Sequence, residues 1–568
     1  MDRIEKKITL TKPISPNQIG FKSGHRTADH VFVIKTLVNK IVSVEKKKLF
    51  VAFIDFRKAY DTVNRKLLFL KLLRLGINGL CYRNIKASLN SIAYLVKVNG
   101  GVLNPILSKL GLKQGGVLSP LLFNVFIDDL GKILDESCDP IQELVRPLSH
   151  LLYADDLVLM STSQSGLNNC LAKLKSFCDE WQITVNMNKS QIVVFNPTGR
   201  VINNNLLFKF GGVKMNIVKS YTYLGIELLT SESFWLAKDN LMDKARKAMF
   251  PLFSTIAQFH LSVSESIKLF HTMIRPIALY NSENWGTFSH DHIRKIEENP
   301  LLLLDQLITS QPDKILQKFL KYILGVNSSC TNLTTLGETG EYPLKLHSLI
   351  YLLTFWHRIS NMTENTLVKQ TLDILIKLGP EKSEWLGTVK LVLTKLGLIH
   401  HFQNVKLVKT SIFKKIVKSR LKVYFVELWH AKISGVQHEH NKSTKLRFYK
   451  LFKKTFEKEP YLDLIPEFQM RKMISKFRCS DHVLGIEKGR HKNNKVEERL
   501  CRVCNKSIED EIHFLNNCKK YSTLRDHYFG GRSGPYDWLK LLKCKEKDTA
   551  FKLCNYLTKA FKLRKQFI

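Results

Sequence analysis

Asp155 and Asp156 stand side by side in LSHLLYADDLVLMSTS, residues 148–163. Leu151, Leu152, Tyr153 and Ala154 precede them, and Leu157, Val158, Leu159 and Met160 follow. Two like charges inside an apolar run repel and lose hydration, so such a pair persists only where something compensates it. A third carboxylate, Asp55, ends the apolar run of residues 49–54. Carboxylates at strand ends and a hairpin tip could converge on divalent metal, since Mg²⁺ takes a few carboxylates plus phosphate oxygens rather than a closed protein cage. Two such ions about 3.5–4 Å apart activate a hydroxyl and stabilise the leaving oxygen of an in-line displacement. An Asp-Asp turn by itself is more often structural than catalytic. Asp128-Asp129 shows the contrast: Leu122, Val125 or Phe126, and Leu130 recur at helical spacing, leaving a polar face on which that pair is most simply solvated.

A second constellation is CRVCNKSIEDEIHFLNNC, which spaces Cys501, Cys504, His513 and Cys518 as C-x2-C-x8-H-x4-C. Three thiolates and an imidazole can close a tetrahedral zinc site, structural because no position stays open. The bland alternative is scattered buried cysteines. The flanking EKGRHKNNKVEER and KKYSTLRDHY add basic and aromatic residues suited to phosphate contact and base stacking, for RNA more than for duplex DNA.

The elements that must hold these residues follow from periodicity. KLFVAFIDF (48–56) has the continuous apolar character of a buried strand. TVNRKLLFLKLLRLG has helical spacing and stops at Gly76. SPLLFNVFIDDLGKIL (119–134) opens with the Ser-Pro pair favoured at helix starts. The Asp155-Asp156 stretch reads as two short strands meeting at an acidic tip, and SQIVVFN (190–196) and SYTYLGIEL (220–228) as further strands. From about 231 to 480 helical patterns rich in Leu, Ile and Lys dominate. A basic helix closes the chain after the turn-rich YFGGRSGPYDW (528–538).

A chain of 568 residues with 44% apolar content can build several cores. Its charge is unusual: 88 Lys+Arg against 50 Asp+Glu, a net of +38, which points to a polyanionic partner. From residue 401 onward 39 basic and 17 acidic residues leave +22 on under a third of the chain. Eleven cysteines, an odd and scattered number, do not resemble a disulfide framework. With a polar N-terminus and no apolar run of roughly 18 residues, a reducing cytosolic or nuclear setting is expected.

Five segments in order carry a resemblance. FIDFRKAYDTV (53–63), LKQGGVLSPLLFNVFIDDL (112–130), YADD (153–156), VNMNKSQIVVF (185–195) and YLG (223–225) are similar in spacing and content to the reverse transcriptases of non-LTR (LINE-type) retrotransposons. QIGFKSGHRTADHVFVIKTL (18–37) resembles that family's finger segment, and MIRPIALYNSENWG (273–286) more weakly its thumb. The resemblance implies an α+β right-hand polymerase: fingers and palm over 1–230, a helical thumb over 231–330, a helical basic region over 331–490, a CCHC zinc knuckle over 491–530 and a basic helical tail over 531–568.

It also implies roles. Asp55, Asp155 and Asp156 would be the catalytic carboxylates holding two Mg²⁺ or Mn²⁺. Tyr60 would pack under the incoming sugar and crowd a 2′-hydroxyl, Gln114 would contact the nucleotide, and Lys189 would stand near the triphosphate. Tyr223, Leu224 and Gly225 would grip the primer end, while Arg26, Thr27 and Asp29 would help shape the template side of the fingers. Zn²⁺ on Cys501, Cys504, His513 and Cys518 would be structural. The expected partners are an RNA template, a DNA primer or target and deoxynucleoside triphosphates, without a membrane, in a ribonucleoprotein of nucleus and cytoplasm. The family's first finger block is not visible upstream, nor is there room for an N-terminal endonuclease, so the chain reads as the back part of a longer polyprotein or a truncated copy. The rival expectation is a catalytically inactive reverse transcriptase that only binds RNA or DNA. A group II intron or retron type enzyme would share the palm.

Overall fold

The computed structural model describes residues 14–90, 92–135, 139–142, 144, 147–202, 206–231, 233–405, 408–435, 445–530 and 537–567. The chain divides into two compact units. The first takes in the chain to Ala237 together with Phe355–Lys390, and the second Lys238–Thr354 and Leu391–Ile568.

The first unit is built on a five-stranded sheet. In chain order its strands are β1 (Leu49–Ile54), β2 (His150–Tyr153), β3 (Asp156–Ser161), β4 (Gln191–Phe195) and β5 (Asn216–Ile217), and in space they run β5-β4-β1-β3-β2. β1 is central and antiparallel to both neighbours, with Phe50 opposite Ser161 and Val194. All six of its residues are buried, because both faces of the sheet are covered. Phe50, Ala52 and Ile54 face a core shared with helices α2 (Ser119–Ile127) and α3 (Gln164–Trp181). On the other face Phe53 stacks on Tyr221 at 4.4 Å between ring centroids. Tyr221 belongs to a separate hairpin, β6 (Ser220–Tyr223) and β7 (Ile226–Leu229). SYTYLGIEL is thus not one strand but two, reversed at Leu224 (φ +45°) and Gly225 (φ +78°). Two successive positive φ values are what a tight hairpin turn demands.

Helix α1 (Thr27–Val38) is buried along most of its length and packs beside the helix Leu367–Leu378. Its Phe32 meets Phe355 and Trp385 edge-on and tilted at 5.5 and 4.8 Å. Asp29, one of the expected template-side residues, is committed to this scaffold: it caps the N–H of Arg26 and forms an ion pair with Arg358.

Asp128-Asp129 departs from the expected solvated face. Residues 121–127 of α2 are buried all round, and the helix breaks at Asp128 before a short turn of helix, Asp129–Asp135. Asp128 accepts the N–H of Ser15 at 2.7 Å, and Asp129 pairs at 3.0 Å with Lys71, a buried ammonium that also donates to the Phe126 carbonyl. The two carboxylates terminate a core helix rather than decorate a surface.

The second unit is almost wholly helical. Its centre carries a buried ionic network: Arg478 donates through Nε and Nη2 to Glu338 at 2.7 and 2.9 Å and pairs with Glu459, while Tyr461 donates to Glu338 at 2.8 Å. Every charge there has an opposite partner, the condition for ions to persist without water. No helix among the described residues is long and apolar enough to cross a membrane.

Candidate active site and candidate metal centre

The sheet brings the three aspartates together by register. Ile54, the last paired residue of β1, faces Leu157 on β3, so Asp55 comes level with Asp156. Tyr153 pairs with Asp156, leaving Ala154 and Asp155 as the two-residue turn. Asp55 is held by the segment before β4. Its N–H donates to Ser190 Oγ (3.0 Å), its carbonyl accepts the Asn186 N–H (2.7 Å), and its Oδ2 accepts from Asn186 Nδ2 (3.0 Å).

Electrostatically the trio is under tension. Desolvation first, then Asp155 and Asp55, push the Asp156 carboxyl up to about 6, although its side chain stays open to solvent on one side. Asp155 is also raised, by desolvation and by Asp55. Among the described residues no Lys or Arg pairs with any of the three. Three carboxylates drawn to one sheet end without a cationic partner among the described residues could hold a divalent cation, which would supply the missing charge.

The remaining expected residues fall around this tip with different exposure. Tyr60 stacks on Phe123 of α2 at 4.7 Å, and its buried hydroxyl has no hydrogen-bond partner among the described residues. Burial, then Asp155, pushes that hydroxyl up to about 12. Gln114 is exposed and donates to Asp61 Oδ1 at 3.2 Å, so it is tethered to the residue after Tyr60. Lys189 is exposed within the turn that supplies Asn186 and Ser190 to Asp55. Tyr223 is buried, with its ring 5.6 Å from Phe53, and feels the charge of Asp156. Leu224 and Gly225 form the β6–β7 turn.

Residues outside the expected set complete the support. Asn186 and Ser190 tether Asp55. Gln18 holds the backbone of Ala154. His30 of α1 is hydrogen-bonded through Nδ1 to the Tyr223 hydroxyl at 3.1 Å. A lone buried Gln or His carries no periodic signal, so only the quoted segments that contain them hinted at a role.

Burial lowers His30 from 6.5 to about 3, with the nearby His25 and His150 adding to the effect and Asp29 opposing it. The folded state holds the neutral ring. The stability His30 contributes is therefore complete above pH 6.5 and lost as pH falls from 6.5 towards 3, at about 1.4 kcal/mol per pH unit. His30→Gln is expected to remove that slope from urea-unfolding free energies of the sheet unit measured between about pH 6 and 4. An unchanged slope would contradict the assignment.

The second unit gathers the Cys/His set. The ligand atoms of Cys501, Cys504, His513 and Cys518 all lie within 4.8 Å of one another, and Cys504 Sγ is 3.4 Å from His513 Nε2. Bond lengths of about 2.3 Å to sulfur and 2.0–2.1 Å to nitrogen give tetrahedral edges of roughly 3.5–3.8 Å, so the cluster is able to take a zinc ion. Desolvation acts on all three thiols. On Cys504 it is outweighed by hydrogen bonding that includes the N–H groups of Lys506 and Ser507, while Cys501 is driven up to about 12. The loop is not a free appendage. Leu500 bridges to Ile508, buried Glu509 takes both Nε and Nη2 of Arg564 at 2.6 and 2.7 Å, and Glu511 takes Arg447 at 2.8 Å.

A carboxylate-tipped hairpin stands beside a central strand that ends in aspartate, and residues 1–228 match the family model "Reverse transcriptase (RNA-dependent DNA polymerase)". That match takes in about two-fifths of the 568-residue chain. More particularly, the chain is similar to RNA-directed DNA polymerases of non-LTR retrotransposons. It is 27% identical over 303 residues to the polymerase from mobile element jockey of Drosophila melanogaster, covering 50% of this chain and 31% of the relative. It is 25% identical over 312 residues to the probable polymerase from transposon BS of the same species, covering 52% and 33%. A Pol polyprotein from type-1 retrotransposable element R2 of Popillia japonica is 29% identical over 205 residues, covering 35% and 28%. The chain thus spans about a third of the length of the curated relatives it matches. Among solved structures, telomerase from Candida tropicalis with a fragment of telomeric RNA aligns at 14% identity and a TM-score of 0.31, over 66% of this chain and 56% of that one.

Proposed function

We propose that this chain is the RNA-directed DNA polymerase of a non-LTR retrotransposon, with Asp55, Asp155 and Asp156 as its catalytic residues. The observation that carries the proposal is the convergence of these carboxylates on one sheet end with no basic partner among the described residues. Two Mg²⁺ or Mn²⁺ ions bound there would acidify a primer 3′-hydroxyl and neutralise charge on the departing pyrophosphate. The chain's own residues do the rest. Asn186 fixes the orientation of the Asp55 carboxylate. Tyr60, braced by Phe123, presents a wall to the sugar of an incoming deoxynucleotide. Gln114 and Lys189, both exposed, contact the nucleotide and its triphosphate. Tyr223, Leu224 and Gly225 grip the primer end.

In the same reading residues 1–230 are fingers and palm, 231–330 the thumb, 331–490 a basic helical region, 491–530 a zinc-stabilised module and 531–568 a basic tail. The +22 beyond residue 401 binds the RNA template or the DNA target. Zn²⁺ on Cys501, Cys504, His513 and Cys518 is structural.

Primer extension on an RNA template with Mg²⁺ and deoxynucleotides tests the proposal. Incorporation by the wild-type chain is expected. RNA binding without incorporation would leave only an inactive nucleic-acid-binding protein. Tyr60→Ala opens the sugar wall, and ribonucleotide incorporation relative to deoxynucleotide is expected to rise by on the order of tenfold or more, the value of one steric contact of 1–3 kcal/mol. Unchanged sugar discrimination would remove Tyr60 from that role.

A further inference from the structure

Ala154 is the residue on which the catalytic turn depends. It holds φ at +56° immediately before Asp155, a left-handed conformation that costs an L-residue roughly 1–2 kcal/mol. Glycine would adopt it freely, and alanine does not without help. Relaxation of this one torsion would swing Asp155 away from Asp55 and Asp156.

The help comes from residues 17–21, NQIGF. This segment lies along β2, the edge strand of the sheet, in a parallel bridge between Gln18 and Leu152. Leu152 N–H donates to the Asn17 carbonyl at 2.9 Å, and Ile19 N–H donates to the Leu152 carbonyl at 3.0 Å. Beyond Leu152 the ladder stops, and the Gln18 side chain takes over. Its Oε1 accepts the Ala154 N–H at 3.0 Å, and its Nε2 donates to the Ala154 carbonyl at 3.2 Å. The same Oε1 accepts the Gly20 N–H at 2.8 Å. One side-chain amide thus satisfies both backbone groups of the turn residue, as a neighbouring peptide would.

The requirement is narrow. A donor and an acceptor are needed at the reach of two methylenes: Glu lacks the donor, Asn is a methylene short, and Met or Leu offers neither. Gln18 is 1% exposed, so water cannot substitute. Gly20 has no side chain because a Cβ there would sit 2.2 Å from Ala154 N. Asn124 of α2 donates to the Gly20 carbonyl at 2.8 Å and holds the segment in place.

We propose that Gln18 is a positioning residue of the metal site: by clamping Ala154 it sets Asp155 beside its two partner carboxylates. The inference rests on the polymerase reading of that site. Its consequence is that Gln18 governs metal affinity and turnover while leaving nucleic-acid binding alone.

The test uses the full chain and two variants, Gln18→Met and Gln18→Glu. Mn²⁺ binding is followed by electron paramagnetic resonance, with Asp155→Asn marking background, and primer extension is measured beside it. Gln18→Met is expected to weaken Mn²⁺ binding and lower kcat by about 10–100-fold, the usual cost of losing a group that orients a metal ligand. Deoxynucleotide KM and RNA affinity should stay near wild type, while the melting temperature falls because three buried backbone groups lose their partner. Gln18→Glu keeps both acceptor bonds and the shape but sets a carboxylate against the Ala154 carbonyl. It is expected to be similarly impaired, and it replaces the Met variant should that one fail to fold. Wild-type Mn²⁺ affinity and kcat in the folded variants would overturn the role of Gln18 while leaving the polymerase reading intact. A wild-type chain that binds Mn²⁺ no better than Asp155→Asn would overturn both.

Discussion

Asp155→Asn is expected to reduce primer extension by at least on the order of 100-fold without unfolding the protein. The amide keeps the shape of the carboxylate and removes one charge from the proposed cation site. Charge stabilisation by such cations is worth several kcal/mol in the transition state, and each tenfold in rate is about 1.4 kcal/mol. The neighbouring carboxylate yields a sharper signature. Desolvation and the repulsion from Asp155 and Asp55 raise Asp156 in the metal-free protein, so Asp156→Asn should relieve tension in that state. In EDTA its melting temperature is expected to rise above wild type at pH 8, where the carboxylates are ionised, while its polymerase activity falls. Stability and activity moving in opposite directions is the mark of a site built against the fold's own preference. Asp129→Asn is the contrast: that carboxylate balances the buried Lys71 ammonium, so its loss should lower the melting temperature. If Asp156→Asn also destabilises the metal-free protein, the three aspartates are an ordinary satisfied cluster and not a cation site.

Much of this arrangement is legible because its signals are local. The run LFVAFI marks a strand covered on both faces, and it is β1. The apolar flanks of Asp155-Asp156 mark a hairpin, and its register then brings Asp55 level with Asp156. The spacing of Cys501, Cys504, His513 and Cys518 survives folding as a cluster of four donors. What escapes depends on partners far away in the chain. The pattern of α2 suggests an amphipathic helix, but Asp129 finds Lys71 and Asp128 finds Ser15, so the polar end is consumed by the core. SYTYLGIEL has enough β-branched and aromatic residues for one strand, and only the paired positive φ values at Leu224 and Gly225 turn it into a hairpin. Phe355–Lys390 joins the first unit across more than a hundred residues of the second, through contacts such as Phe32 with Trp385 that no local pattern encodes. Gln18 is the extreme case: its chemistry is that of a backbone peptide, visible only once Ala154 stands beside it.

Removing zinc is expected to have the largest effect on stability. Purified under reducing conditions, the chain should carry one zinc ion, and Cys504→Ser should lower that content. The consequence should reach well beyond the loop, because the ligands are wired into the surrounding helices. Glu509, between Cys504 and His513, is buried against Arg564 of the helix Lys547–Lys565. Glu511 is held by Arg447 and Ser480. Phe514, next to His513, packs among Phe477, Tyr521 and Phe561, and its carbonyl accepts the Tyr556 hydroxyl at 2.8 Å. Without the ion, Cys501, Cys504 and Cys518 must stay protonated or repel as thiolates, and the buried carboxylates lose the frame that aims them at their arginines. Structural zinc supplies roughly 10–16 kcal/mol in small peptides, and for units of this size 1 kcal/mol is worth about 2–4 °C. Even half of that contribution predicts a fall on the order of 10 °C or more in the melting transition of the helical unit on chelation. Cys544→Ser is the control, since Cys544 is more deeply buried than Cys504 but lies outside the cluster, and its thiol-to-hydroxyl change should cost far less. A knuckle that only touched RNA would lose affinity on chelation and melt at the same temperature. A site that holds the C-terminal helices together will lose its melting transition first, with RNA affinity falling only as the helices come apart.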